Sequence, residues 1–289
     1  MNTQELLQQV RKIEIKTRGL SNNVFAGEYH SAFKGRGMAF SEVREYQYGD
    51  DIRDIDWNVT ARFSKPYVKV YEEERELTVM LLVDVSGSQD FGTISQTKRQ
   101  MTAEIAATLA FSAIQNNDKI GVIFYTDRVE KFIPPQKGRK HILYIIRELL
   151  ELKPVGRGTN LGNALEYLIN TQKKRCSVFM LSDFVGPVDF TKPLMVASRK
   201  HELAAIQIYD RFMAQLPNVG LLKVADCESG DTAYVDSSSA KVRKAHAQHW
   251  LEHEQELQRL FTAQKVDYVS LTTENDYVAA LLNLFHRRG

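Results

Sequence analysis

Cysteine is nearly absent from the 289 residues, and the two present, Cys176 and Cys227, lie in separate apolar runs without metal-type spacing. A zinc ribbon or a disulfide scaffold is therefore excluded, and buried reduced thiols in a reducing compartment are expected. No window approaches the ~20 apolar residues that span a bilayer, and the N-terminal "MNTQELLQQVRKIEIKTR" lacks the apolar core of a signal peptide. A soluble, cytoplasmic chain with no membrane span is the expectation. Charge of one sign is lacking too: 38 basic against 36 acidic residues leave a formal net charge of +2, which gives nucleic acid no electrostatic hold. The sequence contains no G-x-x-x-x-G-K-[ST] loop and no G-x-S-x-G elbow, which argues against a P-loop ATPase and an α/β-hydrolase. It also contains no low-complexity tract and no internal repeat.

What is present divides into two textures. Residues 1–75 hold a short helix, about 3–18, followed by a long irregular stretch rich in Gly, Tyr and charge. From residue 76 to 289 the pattern is regular. Strand-like apolar runs at Leu77–Val83, Ile120–Tyr125, Ser177–Leu181, Ala204–Tyr209 and Val266–Leu271 alternate with helical patterns at about 96–116, 139–152, 161–171, 190–200, 240–263 and 275–286. Such alternation predicts an α/β domain with a mostly parallel central sheet and helices on both faces. One β-hairpin insertion is expected at about 218–237, turning near Ser229–Asp231.

The most apolar strand runs into "VMLLVDVSGSQDF" and ends in Asp84, Ser86 and Ser88. Sites in open α/β sheets form at the carboxyl ends of strands. Oxygen groups at alternate positions of a turn suit a hard cation such as Mg²⁺ (or Mn²⁺). One turn cannot surround an ion, and two other segments offer partners. "GRGTNLGNAL" places Thr159 in a Gly-rich turn that opens a helix, and "VFMLSDFVG" ends another strand with Ser182 and Asp183. Two carboxylates among Asp84, Ser86, Ser88, Thr159 and Asp183 under-neutralise a divalent ion. That is the logic of binding an outside carboxylate more than of hydrolysis. A strand-end Asp phosphatase would also want a carboxylate as general acid where Ser86 stands.

D-x-S-x-S with the Thr159 loop and Asp183 resembles the metal-ion-dependent adhesion site of von Willebrand factor A domains, over about residues 76–289. The resemblance implies a three-layer Rossmann-type fold in which Ser86, Ser88 and Thr159 approach Mg²⁺ or Mn²⁺ directly. Asp84 and Asp183 would act through water, and a partner's Asp or Glu would complete the shell. Upstream, "GRGMAFSEVREYQYGDDIRDIDWNVTARFSKPYVKVYEEE" is similar to the signature of the bacterial domain-of-unknown-function family 58. That resemblance implies a non-enzymatic adaptor or co-chaperone working with a MoxR-type AAA+ ATPase in complex assembly or maturation. The rival readings are a metal-dependent hydrolase at the same edge and a scaffold with an empty site.

Two further patterns invite metal readings. In "GDDIRDIDW" the carboxylates Asp50, Asp51, Asp54 and Asp56 have Arg44, Arg53 and Arg62 nearby, so Arg–Asp pairing in a strap or docking surface anchored by Trp57 is the expectation. "HWLEH" matches H-x-x-E-H, with His246, His249 and His253 on one helical face. Val242, Leu257 and Leu260 share that face, which points to packing.

Overall fold

A computed structural model describes residues 3–20, 39–63, 65–72, 77–93, 96–156, 158–186, 189–225 and 230–287. In chain order the elements are α1 (Thr3–Leu20), β1 (Ala39–Glu45), α2 (Trp57–Phe63), β2 (Tyr67–Glu72), β3 (Thr78–Asp84), α3 (Lys98–Gln115), β4 (Lys119–Tyr125), β5 (Val129–Gln136) and α4 (Arg139–Glu151). There follow α5 (Leu161–Thr171), β6 (Ser177–Ser182), α6 (Thr191–Lys200), β7 (Glu202–Tyr209), α7 (Arg211–Ala214), β8 (Leu221–Ala225), β9 (Thr232–Asp236), α8 (Ala240–Ala263), β10 (Asp267–Thr272) and α9 (Tyr277–His286).

The chain separates into two compact units, residues 1–33 with 77–289, and residues 34–76. The division expected at 75/76 therefore needs correction at its N-terminal end. Val10 and Ile13 of α1 are buried in the same core as α3 and α4 of the larger unit, and Glu14 takes an ion pair from Arg139. An amphipathic helix with that apolar stripe is stabilised by the sheet domain's core.

In the larger unit six strands form one sheet in the order β10-β7-β6-β3-β4-β5, parallel except for β5. Alternation along the central strand builds the layers. Val79, Leu81 and Val83 point into a core shared with α1, α3, α4 and α9, whereas Met80 and Leu82 point into one shared with α5, α6 and α8. A period of two on a strand buried on both faces produces this split. The outcome is the three-layer von Willebrand factor A-like fold. The hairpin insertion is present as antiparallel β8 and β9; part of its expected turn, like Cys227, lies outside the described residues. No helix among the described residues is long and apolar enough to cross a membrane.

The smaller unit pairs β1 with β2 antiparallel, with a register shift between Phe40 and Glu42. Its acidic run is used internally. Asp50 holds Arg44 through two bonds of 2.7 and 2.8 Å, Asp51 caps the short turn Ile52–Asp54, and Asp56 caps α2 by accepting from Asn58 N and Val59 N. Pairing and capping, as expected from the neighbouring arginines, account for these three carboxylates.

Cys176 is buried as expected, and its Sγ lies 3.2 Å from His201 Nδ1. Burial pushes the thiol up to about 12 and holds His201 down to about 4, with Lys200 and Arg175 adding to the latter. Above the ordinary value of 6.5 His201 is neutral both folded and unfolded. As pH falls below that value the unfolded chain binds a proton that the fold refuses, and stability is lost down to about pH 4. The full loss is about 3 kcal/mol. Urea unfolding at pH 7 and pH 4.5 is expected to give a smaller difference for His201→Gln than for wild type; equal slopes would refute this.

Candidate functional site

The site begins where three strands end side by side. Asp84 closes β3, opposite Tyr125 at the end of β4, and β6 ends next to β3 at Ser182. Asp84 is 2% exposed, and both its oxygens are engaged: Oδ1 accepts from Ser86 N at 2.9 Å and Oδ2 from Ser182 Oγ at 2.7 Å. Ser86 Oγ lies 3.2 Å from Ser88 Oγ, which donates to Asp183 Oδ2 at 2.9 Å. Asp84, Ser86, Ser88 and Asp183 thus form one continuous network, across 95 residues of sequence between its last two members. Burial, then the neighbouring Asp183 charge, raise Asp84 to about 6 against the bonds from Ser86 and Ser182 that favour its ionised form.

Thr159 reaches the same edge through the backbone. Asn160 N donates to Thr126 O at 2.8 Å, just beyond β4, while the Asn160 side chain caps α5 by accepting from Asn163 N. Glu130 fixes the start of this loop, accepting from Val155 N, Gly156 N and Thr126 Oγ1. A Cβ on Gly156 would stand 2.0 Å from Asp127 Oδ1 and 2.1 Å from Thr126 Oγ1. Close approach is what requires glycine there; it is not among the glycines with positive φ.

The Asp183 turn is held in a costly conformation. Phe184 adopts φ 52°, uncommon for a bulky residue and worth about 1–3 kcal/mol of strain. In return its N–H donates to Ser182 Oγ and Val185 N donates to Asp183 Oδ1. Three outside groups brace the turn: Gln207 Nε2 donates to Asp183 O, His253 Nε2 meets Phe184 O at 3.0 Å, and the Phe184 ring packs edge-on against Phe261.

Sequence reasoning missed Lys98. It is the first residue of α3, behind the Thr97 cap and its capping box with Gln100, and it is 0% exposed. Its Nζ pairs with Asp183 Oδ2, the oxygen that also accepts from Ser88, and reaches Met213 Sδ at 3.4 Å. Both features of this placement are unfavourable on their own. A cation opposes the helix dipole at an N-terminus, and a buried ammonium must be paired. The sequence carries little signal for it, because α3 is buried on nearly all sides from Met101 to Ala113 and no apolar stripe singles out Lys98.

A hard cation can be tested against this arrangement. Ser86 and Ser88 oxygens at 3.2 Å approach the separation of about 3 Å between neighbouring ligands of an octahedral Mg²⁺. Charge does not fit. Asp183 already carries an ammonium, both Asp84 oxygens accept protein donors, and two carboxylates cannot offset an ammonium and a divalent ion together. Among the described residues no group of three or more His, Cys, Asp or Glu side chains could hold a metal. The three histidines of α8 do not converge either: His246 meets Met213 O, His253 meets Phe184 O, and His249 is exposed.

Comparison with known proteins agrees with this architecture. Residues 42–256 match the family described as "Protein of unknown function DUF58". "Uncharacterized protein Rv1480" of Mycobacterium tuberculosis (strain ATCC 25618 / H37Rv) is 29% identical over 99% of this chain and 91% of its own. "Uncharacterized protein YeaD" of Bacillus subtilis (strain 168) is 25% identical over 45% of this chain and 29% of its own. Among solved structures, the conserved hypothetical protein BatB from Bacteroides thetaiotaomicron superposes with a TM-score of 0.50 at 14% identity, covering 73% of this chain and 98% of that one. An aerotolerance-related membrane protein from Bacteroides fragilis NCTC 9343 gives 0.51 at 14% identity, over 73% and 99%. At that identity the likeness is one of fold.

Proposed function

We propose, for a chain that belongs to the DUF58 family, a role as a protein-binding adaptor or co-chaperone that docks through the carboxyl edge of its central sheet. The observation carrying this reading is the hydrogen-bonded edge of Asp84, Ser86, Ser88 and Asp183, with the loop that carries Thr159 tied to the end of β4 by the Asn160–Thr126 bond. Buried charges position hydroxyls there, and Ser88 and Thr159 are half-buried at its rim. A partner's Asp or Glu is the complementary group: on docking, the Ser88 proton would turn from Asp183, which Lys98 also holds, to the incoming carboxylate in a charge-assisted bond. Full burial of Asp84, with both oxygens taken, supports binding over hydrolysis, since a nucleophile must reach its substrate.

The partner we favour is a MoxR-type AAA+ ATPase, in complex assembly or maturation. Binding of this chain to such an ATPase, followed by biolayer interferometry, is expected to weaken at least about tenfold in Ser88→Ala/Thr159→Ala, as the hydroxyls that would turn to the partner's carboxylate are lost. Unchanged affinity in a folded double variant would sink the reading.

A further inference from the structure

We infer that Lys98 is the resident cation of this edge, its buried ammonium balancing the charge that a divalent ion balances in a metal-dependent adhesion site. The inference deepens the docking reading and rests on it for the edge's role, though not for its charge balance. Three observations carry it. Lys98 is fully buried, so its ammonium belongs to the interior and not to solvent. It contacts Asp183 on the same oxygen that receives Ser88, which places the charge inside the D-x-S-x-S network. And it occupies the first turn of α3, where the helix dipole opposes a cation, so local structure gives no reason for it. The pairing with Asp183 is what retains it.

The consequence is an edge that assembles without metal. Asp183 is neutralised by a covalently tethered charge that is never diluted or chelated away. An incoming carboxylate then meets hydroxyls beside the buried Asp84 and a balanced Asp183 instead of beside two unbalanced carboxylates. A divalent ion entering the same network would have to lie against the ammonium in a desolvated setting, where like charges repel strongly. Lys98 therefore excludes the ion as well as replacing it. Removing the ammonium while leaving both aspartates should turn the edge back into a site with the charge and the hydroxyl spacing for a hard cation.

The test is Mn²⁺ binding to the isolated full chain, by calorimetry and by the loss of free Mn²⁺ paramagnetic signal, for wild type, Lys98→Met and Lys98→Met/Ser86→Ala. Wild type is expected to take up no Mn²⁺ at about 1 mM and to melt at the same temperature in EDTA and in excess Mg²⁺. Lys98→Met is expected to bind Mn²⁺ about tenfold more tightly or better, with the gain abolished by Ser86→Ala. If Lys98→Met folds only with Mn²⁺ present, the ion has replaced the ammonium and the inference stands. If it folds with neither, Lys98→Met/Asp183→Leu decides: recovery of the fold without metal supports the pairing, and failure counts against it. Sub-millimolar Mn²⁺ binding by wild type, or a folded Lys98→Met that gains none, overturns the inference. Because no partner enters the titration, these results stay separate from the interferometry. A chain that behaves this way toward Mn²⁺ yet binds no ATPase would refute the docking reading alone.

Discussion

Asp183→Leu is expected to lose about 3–5 kcal/mol of stability, the typical cost of stranding one member of a buried ion pair. For a chain of this size that is a fall in Tm of roughly 10 °C. The reason is an asymmetry between the two partners. Asp183 keeps donors from Ser88 Oγ and Val185 N if the lysine goes. Lys98 keeps only the weak acceptor Met213 Sδ among its recorded contacts if the aspartate goes. Lys98→Met should therefore cost less than Asp183→Leu. Lys98→Met/Asp183→Leu should recover most of the loss, because an apolar pair of similar volume often equals or betters a buried ion pair. Urea unfolding of the four proteins gives the cycle. An Asp183→Leu loss below about 1 kcal/mol would mean that the ammonium reaches solvent and is not held in the interior.

Phe261→Ala should cost a similar amount, about 3–5 kcal/mol, by opening a cavity that its neighbours cannot fill. Phe261 is 0% exposed, with Phe184 at 5.4 Å, Tyr268 at 5.3 Å and Phe190 at 6.2 Å between ring centroids. The effect should reach the edge. The strained Phe184 backbone persists because its surroundings over-determine it, and Phe261 is one of the three groups that brace it. Amide exchange at Val185, whose N–H closes the turn onto Asp183, is expected to quicken more than exchange in β6. Unchanged protection at Val185 would show that His253 and Gln207 hold the turn without the aromatic contact.

Much of this architecture is legible in the sequence, and the omissions have physical causes. The five parallel strands and the helices between them show because each carries a long apolar run or a helical period. β5 does not, because Pro134 and Pro135 read as breakers. As an antiparallel edge strand with a register shift between Ile120 and Val122, it tolerates them. β1 and β2 are equally hidden, since their charged and aromatic residues match no simple period. Asp84, Ser86 and Ser88 are contiguous, and Asp183 ends an apolar strand, so parallel topology alone predicts that they share an edge. Lys98 is invisible by the same logic. Its partner lies 85 residues away, and a lysine beside Arg99 at a helix start reads as solvated surface. What folding adds to the motif is a charge of its own, and that changes the expected role of metal.

Docking through the sheet's carboxyl edge is tested most directly by amide hydrogen exchange of this chain with and without a purified MoxR-type ATPase. The account predicts protection concentrated in three segments, around residues 85–93, 126–130 with 158–160, and 183–186, while β8 and β9 and the amino ends of the sheet strands exchange as before. Protection confined to the hairpin, to residues 39–72 or to the opposite edge of the sheet would contradict it.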